Sequence, residues 1–187
     1  MTRSLLTLLA VTLGAEAALA AELEKVTVER EDGRYRLHSE TTLAATPEEL
    51  YAVLTDYDVF TKFSSVFTEA RNLEPDDDGR PQFYTRMEGC VLLFCVAFER
   101  YGHLLLTDGL ITAVVDPERS DFDYSVETWE LIEIEGGTLL VYNFEMEPSF
   151  WVPPIVGPFY IRRSLRSGAV DAVDRIEALA QGREPEV

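Results

Sequence analysis

Residues 46–67, TPEELYAVLTDYDVFTKFSSVF, show helical periodicity between two blocks of strand-like sequence. Thr46, Pro47 and Glu49 have the arrangement of an N-cap, a first-turn proline and a capping-box partner. The apolar residues fall three or four positions apart and form one stripe: Leu50, Val53, Leu54 and Tyr57, continued by Phe60, Phe63 and Phe67. The pattern predicts a short helix pair over residues 47–67.

Strand-like segments lie on both sides of this helix pair. Asp32-Gly33 separates residues 25–30 from residues 34–45 and predicts a hairpin turn. Turn-forming residues separate the later strands, predicted at 66–73, 82–88, 91–107, 110–115, 122–134 and 138–147. Strict alternation in the last strand places four residues on one face: Leu140, Tyr142, Phe144 and Met146. We therefore expect a sheet with one buried and one wet face.

Residues 122–134 do not keep one alternation throughout. Apolar residues fall on opposite faces, with Phe122, Tyr124, Val126, Ile132 and Ile134 on one and Trp129 and Leu131 on the other. We expect a bulge near Thr128, which turns Glu130 outward, because an unpaired buried charge is costly. An unbroken strand would instead turn Glu130 inward as a candidate acid or base.

The chain closes with a proline-rich connector and a long helix predicted over residues 158–181. Pro158 suits the first helical position, and Gly182 suits the stop. The apolar stripe comprises Leu165, Ala169, Ala172, Val173, Ile176 and Leu179. This stripe is sufficient to dock the helix on a sheet.

The first twenty residues, MTRSLLTLLAVTLGAEAALA, have the three-part pattern of a cleaved signal peptide. Their apolar run is shorter than the roughly 20 residues that span a bilayer, and Glu16 interrupts it. We expect a periplasmic or secreted protein with a single domain over residues 21–187 and no later transmembrane segment. The net charge of −18 argues against nucleic acid and anionic membrane surfaces as partners.

Cys90 and Cys95 are the chain's two cysteines, and export would place them where disulfides form. In one continuous strand their side chains would point to opposite faces, so a bridge requires a bulge or turn within GCVLLFC. The alternative is two small buried apolar side chains. The sequence leaves both interpretations open.

Three stretches carry a family resemblance: ATPEELYAVLTDYDVF, TWELIEIEGGTLLVYNFEMEP and PPIVGPFYIRRSL. With the order of elements, they make the chain resemble the START-like helix-grip superfamily, the SRPBCC or polyketide cyclase/dehydrase group that includes coenzyme-Q-binding proteins. The resemblance implies an α+β fold in which a curved antiparallel sheet wraps around the long C-terminal helix. It also implies an apolar cavity between the sheet and the helices.

The inward residues of such a fold would line that cavity. On this basis we predict a ligand-cavity set of Phe63, Tyr124, Tyr142, Phe144 and Met146, with Phe150 and Trp151 at the mouth. Each is also compatible with an ordinary core role, since aromatic residues fill cores routinely, although Trp151 lies in a loop where it has less core to join. Arg86 and Arg100 are candidate polar anchors if either points inward.

The sequence contains no catalytic signature of the common hydrolase, nucleotide-binding or zinc-protease classes. His38 and His103 lie on separate predicted strands, so no metal site, catalytic set or cofactor is expected. Arg162, Arg163 and Arg166 form a basic cluster that could hold an anionic group, or could pair with the acidic surface.

The leading hypothesis is an exported protein that binds a lipid or other hydrophobic small molecule without transforming it. One alternative, also implied by the resemblance, is a cyclase or dehydrase acting on a cavity-bound substrate. Another is an envelope accessory protein that works through the surface segment PSFWVPPIVGP.

Overall fold

The computed structural model describes residues 22–91, 94–152 and 156–185, so the predicted signal peptide at 1–20 lies outside it. Within these residues, eight strands form one curved antiparallel sheet in the order β1-β2-β8-β7-β6-β5-β4-β3. The strands are β1 (Glu22–Glu31), β2 (Arg34–Leu43), β3 (Phe67–Leu73), β4 (Gln82–Val91), β5 (Phe94–Thr107), β6 (Leu110–Val115), β7 (Phe122–Ile134) and β8 (Gly137–Pro148). This arrangement confirms the helix-grip prediction.

The helices pack on one side of the sheet, which we call its inner face. They are α1 (Pro47–Thr55), a 3-10 turn (Tyr57–Val59), α2 (Phe60–Phe63) and α3 (Val156–Ala180). The capping box that predicted α1 is present: the Glu49 amide donates to Thr46 Oγ1 at 3.3 Å, and the Thr46 amide donates to Glu49 Oε2 at 2.8 Å. None of the described helices combines the length and apolarity needed to cross a membrane.

The long helix α3 begins two residues before the predicted Pro158 and stops where Gly182 predicts. Gly182 has a φ of 69°, its amide donates to Leu179 O, and the Arg183 amide donates to Ala178 O. These two bonds form a Schellman motif, which requires a left-handed residue that glycine supplies without strain.

The carboxyl half of α3 is anchored to the chain segment after β2. Glu177 Oε2 accepts a hydrogen bond from the Ala44 amide at 2.7 Å, and Gln181 Nε2 donates to Ala44 O at 2.5 Å. Val173 and Ile176 are buried in this half, whereas Ile161 and Leu165 in the amino half are only partly buried. The helix is therefore held most firmly at its carboxyl end.

Two apolar clusters fill the space between the helices and the inner face. The first lies under α1, α2 and the carboxyl half of α3, and it includes Leu50, Leu54, Tyr57, Phe60, Phe83, Trp129, Val173 and Ile176. The second lies under the amino half of α3 and comprises Tyr35, Leu37, Phe122, Phe144 and Met146, with Ile161, Leu165 and Ala169 packed against it. Tyr142 contacts both clusters.

The irregularity in β7 lies between Phe122 and Tyr124, so the prediction of a bulge near Thr128 is wrong. From Tyr124 onward the strand alternates without interruption, and every second residue from Ser125 to Leu131 is buried. Glu130 is exposed, as the outward orientation predicted. The earlier bulge brings only Phe122 to the buried face of Trp129 and Leu131, because one extra residue reverses which face a side chain occupies. The other residues of its predicted set stay on the opposite face: Tyr124, Val126, Ile132 and Ile134.

The predicted continuous strand over residues 91–107 is interrupted, because β4 ends at Val91 and β5 begins at Phe94. The two strands form an antiparallel hairpin in which Cys90 and Cys95 are direct register partners. The geometric argument against a bridge therefore no longer holds. Directly opposed residues have Cα separations of about 4.5 or 5.5 Å, and both values suit a disulfide.

The side chains of both cysteines lie outside what the structure describes, so their pairing stays a prediction. We expect the protein to contain no free thiol when it is purified from the compartment to which it is exported and then unfolded without reductant. Alkylation followed by intact mass spectrometry measures this directly. Two alkylated cysteines in the unreduced sample would contradict the prediction, and two after reduction provide the positive control.

Candidate functional site

A buried ion pair lies at the centre of the inner face. Arg100 extends from β5 and Glu127 from β7, with Arg100 Nη2 against Glu127 Oε1, and the two residues are 2% and 4% exposed. Strand β6 runs between β5 and β7, and the residue opposite Glu127 on β6 is Ala113. Because Ala113 is small and fully buried, it leaves room for the two side chains to meet above β6.

The Arg100 guanidinium lies where the two apolar clusters meet. Its Cζ is 5.8 Å from the ring centre of Phe83 in the first cluster and 5.4 Å from that of Phe144 in the second. Contacts with aromatic faces stabilise a cation that is out of water. The ion pair with its two tyrosine neighbours, Tyr57 and Tyr142, is called the polar centre below.

The polar centre holds one cation, one anion and two neutral phenols. Burial alone would lower the pKa of Arg100, but Glu127 together with Tyr57 and Tyr142 more than offsets it, and the pKa is raised. The pKa values of Tyr57 and Tyr142 are both raised well above their usual range, first by burial and then by the charge of Glu127. Both hydroxyls therefore remain protonated at neutral pH and can donate hydrogen bonds.

Several buried polar atoms on the inner face have no hydrogen-bond partner among the described residues. Arg100 Nε and Tyr57 Oη belong to the polar centre, and the others are Tyr35 Oη, Thr85 Oγ1 and Ser125 Oγ. Leaving one such group unsatisfied costs about 1–3 kcal/mol, so buried polar groups are usually paired. The two donors of the polar centre therefore indicate a place where a water or a ligand supplies the missing partners.

The second cluster is bordered by apolar residues that remain partly exposed. Met87 and Phe98, which are register partners on β4 and β5, pack against it, and so do Ile161 and Leu165 of α3. We call the partly exposed apolar surface that these four residues form the crevice. The ring of Phe150 stacks on Phe98 with 4.4 Å between ring centres.

Tyr142 connects the crevice to the polar centre. Its ring stacks between Trp129 and Phe144, with ring centres 5.5 and 6.5 Å away, and the residue is only partly buried. The ion pair behind it is sealed. The arrangement suits an apolar molecule that lies in the crevice and points one hydrogen-bond acceptor toward Arg100 and Tyr57.

The structure brings together part of the predicted ligand-cavity set. Tyr142, Phe144 and Met146 lie on the inner face of β8, and Phe150 borders the crevice. Phe63 is 5% exposed and packs against Phe60 within the first cluster. Whether any of these residues contacts a ligand remains a prediction.

Tyr124 lies elsewhere, whereas the position of Trp151 at a cavity mouth stays a prediction. Tyr124 points to the outer face, where the Arg34 guanidinium covers its ring at 4.2 Å, so the inward prediction is wrong. The cause is the bulge between Phe122 and Tyr124, which reverses the face. Trp151 is 78% exposed.

Of the two candidate anchors, Arg100 points inward, whereas Arg86 forms an ion pair with Glu88 at 3.5 Å near the surface. The sequence interpretation missed Glu127 and Tyr57 as polar residues of the site. Glu127 lies two positions before Trp129 and therefore shares its face. The shared parity of Glu127, Trp129 and Leu131 would have identified it, had the bulge been placed correctly.

The histidines give no sign of a metal centre. His38 lies on the outer side of β2, where its ring nitrogens bond Asn143 Oδ1 and Glu40 Oε1, each at 2.8 Å. The hydrogen bond with Glu40 is the main cause of its raised pKa. Within the described ranges, no group of three histidine, cysteine or acidic residues is arranged to hold a metal ion.

The three arginines of the predicted basic cluster lie away from the polar centre. Arg162, Arg163 and Arg166 are exposed on the outer side of α3 and border a surface groove. No ion pair involves any of them in the part of the chain that the structure describes. Pairing with the acidic surface therefore does not account for them there.

Comparison with known proteins places this geometry among related folds. The sequence model of a family described as polyketide cyclase / dehydrase and lipid transport matches residues 34–181. No curated protein matches the chain. A START superfamily protein from Mycobacterium smegmatis has a similar structure, with a TM-score of 0.61 and 15% identity over 79% of this chain and 97% of that one.

Two further solved structures are described by different functions. A STAR-related lipid transfer protein from Xanthomonas axonopodis has a TM-score of 0.59 and 15% identity, covering 87% of this chain and 96% of its own. The Zhui aromatase/cyclase from Streptomyces sp. R1128 has a TM-score of 0.53 and 14% identity, covering 80% and 93%. At these identities the likeness shows the fold alone.

Proposed function

We propose a function for this chain, which belongs to the polyketide cyclase / dehydrase and lipid transport family. It binds a hydrophobic small molecule in the crevice and does not transform it. The polar centre then holds the acceptor group of that molecule. The observation that carries the proposal is that two buried donors of the polar centre, Arg100 Nε and the Tyr57 hydroxyl, have no partner among the described residues. A carbonyl or carboxylate oxygen would satisfy both donors.

Export is part of the same proposal. The first twenty residues support it by their pattern, with cleavage expected near Ala20. An exported protein with an apolar crevice would carry or sense a molecule that water dissolves poorly.

A second candidate is an enzyme of the cyclase or dehydrase type. The donors of the polar centre favour it, since Arg100 and Tyr57 could stabilise negative charge that develops on a substrate oxygen. Proton transfer is less well supported: both phenols have raised pKa values, and Glu127 is engaged by Arg100. This balance favours binding over catalysis.

Native mass spectrometry of the protein purified from the producing cell tests the proposal. We expect the purified protein to retain one apolar molecule per chain. We also expect its intact mass to be that of a chain whose first residue is Ala21. Arg100→Gln should lose that molecule, whereas Arg86→Gln, the same change at a surface ion pair, should keep it. Extraction and identification of the molecule then name its chemical class.

A clean ligand-free mass for the unmodified protein would contradict tight binding. Equal retention by both arginine variants would remove the polar centre from the proposal. If a supplied candidate molecule is recovered with altered mass, the enzyme is the correct candidate.

A further inference from the structure

The outer side of the amino half of α3 has a composition unlike the rest of the surface. Five exposed residues recur there at helical spacing, and we call them the arginine face: Phe159, Arg162, Arg163, Arg166 and Val170. Together with Ser167 and with Val28 of β1, they border an open groove of about 570 Å³. Cationic and apolar side chains therefore share one continuous strip of helix.

The charges of this strip are not neutralised by the protein itself. On the sheet, Arg34, Arg36, Arg71 and Arg86 each form an ion pair with a carboxylate. By contrast, the arginines of the arginine face have no such partner among the described residues. On a protein of net charge −18, this strip is a cluster of three such arginines to which an anionic partner would be attracted.

The apolar members of the arginine face determine what kind of anion fits. Phe159 is 64% exposed and Val170 is 48% exposed, and they bracket the arginines about 16 Å apart along the helix axis. A small soluble anion would satisfy the arginines but would leave both apolar side chains in water. A bilayer interface meets both needs, because lipid phosphates pair with arginine and the acyl boundary accepts apolar side chains.

We propose that the arginine face docks the protein on an anionic phospholipid membrane. The net negative charge does not forbid this, because salt screens charges more than about 8 Å apart at physiological ionic strength. The groups that decide docking are those within that distance of the lipid phosphates. The expectation from net charge alone, which argued against anionic membranes, is thus revised by the local distribution of charge.

The position of this strip adds a structural reason. Ile161 and Leu165, on the other side of the same helical segment, pack over the second cluster and form part of the crevice. Docking would therefore place the helix that contributes to the crevice against the membrane. Docking does not require a ligand in the crevice. The docking inference can therefore be tested independently of the proposed function.

Vesicle flotation tests the proposal. Vesicles of phosphatidylcholine alone are compared with vesicles that contain about 30% phosphatidylglycerol, whose surface attracts basic residues by about 1 kcal/mol each. The triple variant Arg162→Gln, Arg163→Gln, Arg166→Gln is expected to bind the anionic vesicles at least about tenfold more weakly than the unmodified protein. The matched control, Arg36→Gln, Arg71→Gln, Arg86→Gln, changes the net charge equally and is expected to bind as the unmodified protein does.

Phe159→Ser provides a second variant at an exposed position, and it is also expected to weaken binding. All variants share one N-terminus, so residues 1–21 cannot account for a difference between them. Equal loss in both triple variants, equal binding to neutral and anionic vesicles, or no binding to either would each overturn the proposal. Protein that binds vesicles yet retains no ligand would refute the proposed function and leave this inference intact.

Discussion

Glu127→Gln is expected to lower the free energy of unfolding by about 3–5 kcal/mol, the usual cost of leaving one charge of a buried pair without its partner. The partner here is Arg100, which is 2% exposed and cannot move to water without opening the inner face. Urea denaturation followed by tryptophan fluorescence measures the change, because Trp129 lies in the adjoining cluster.

Glu130→Gln is the matched control for this experiment. It makes the same chemical change three residues away on β7, but at an exposed position on the outer face. We expect its effect to stay within about 0.5 kcal/mol, as surface substitutions usually do. A loss below about 1 kcal/mol for Glu127→Gln would mean that Arg100 is hydrated in solution.

Replacing both charges with apolar groups should have the opposite effect on stability. The double variant Arg100→Met, Glu127→Leu is expected to be as stable as the unmodified protein, or more stable by about 1–4 kcal/mol, since it removes the desolvation cost of both ions. The same variant should lose the retained molecule, because no donor of the ion pair remains. Loss of a hydrogen bond from a charged donor corresponds to about tenfold or more in affinity.

The double variant thereby separates two roles of the ion pair. Unfolding curves and native mass spectra of the same preparation give both results. If the double variant unfolds more easily than the unmodified protein, the pair contributes to stability in its own right. If it is stable and still retains the molecule, binding depends on the apolar crevice alone.

The elements that the sequence predicted best are those specified by neighbouring residues. The hairpin turn is one example: Asp32 and Gly33 both have positive φ values, of 49° and 91°, as a type I′ turn requires. The capping box at Thr46 and the Schellman motif at Gly182 are also complete within a few residues. Such signals are local, so they can be recognised without knowing the rest of the fold.

The features that were missed depend on pairing between distant strands. The bulge before Tyr124 carries no glycine or proline, and its position follows from the register of β7 against β8. That one residue decided both the exclusion of Tyr124 and the burial of Glu127. The burial of Glu127 also requires Arg100 from a strand that is not its neighbour, which no periodicity within β7 can reveal.

The hairpin between β4 and β5 was missed for a related reason. The sequence CVLLFC contains no typical turn former, so its apolar run predicted one continuous strand. The structure pairs Val91 with Phe94 and Cys90 with Cys95, and the remaining register follows from there to Gln82 and His103. Strand pairing over that length can stabilise a reversal of chain direction that the local sequence does not predict.

The anchoring of α3 at Glu177 and Gln181 gives the helix a mechanical asymmetry. Ile161 lies sixteen residues before Glu177, so the segment between them is a lever arm of about 24 Å. A tilt of about 5° around the anchored end would displace the amino end by roughly 2 Å, without breaking the bonds to Ala44. Small angular motions about the anchored end would thus change the distance between α3 and the second cluster more than the distance between α3 and the first cluster.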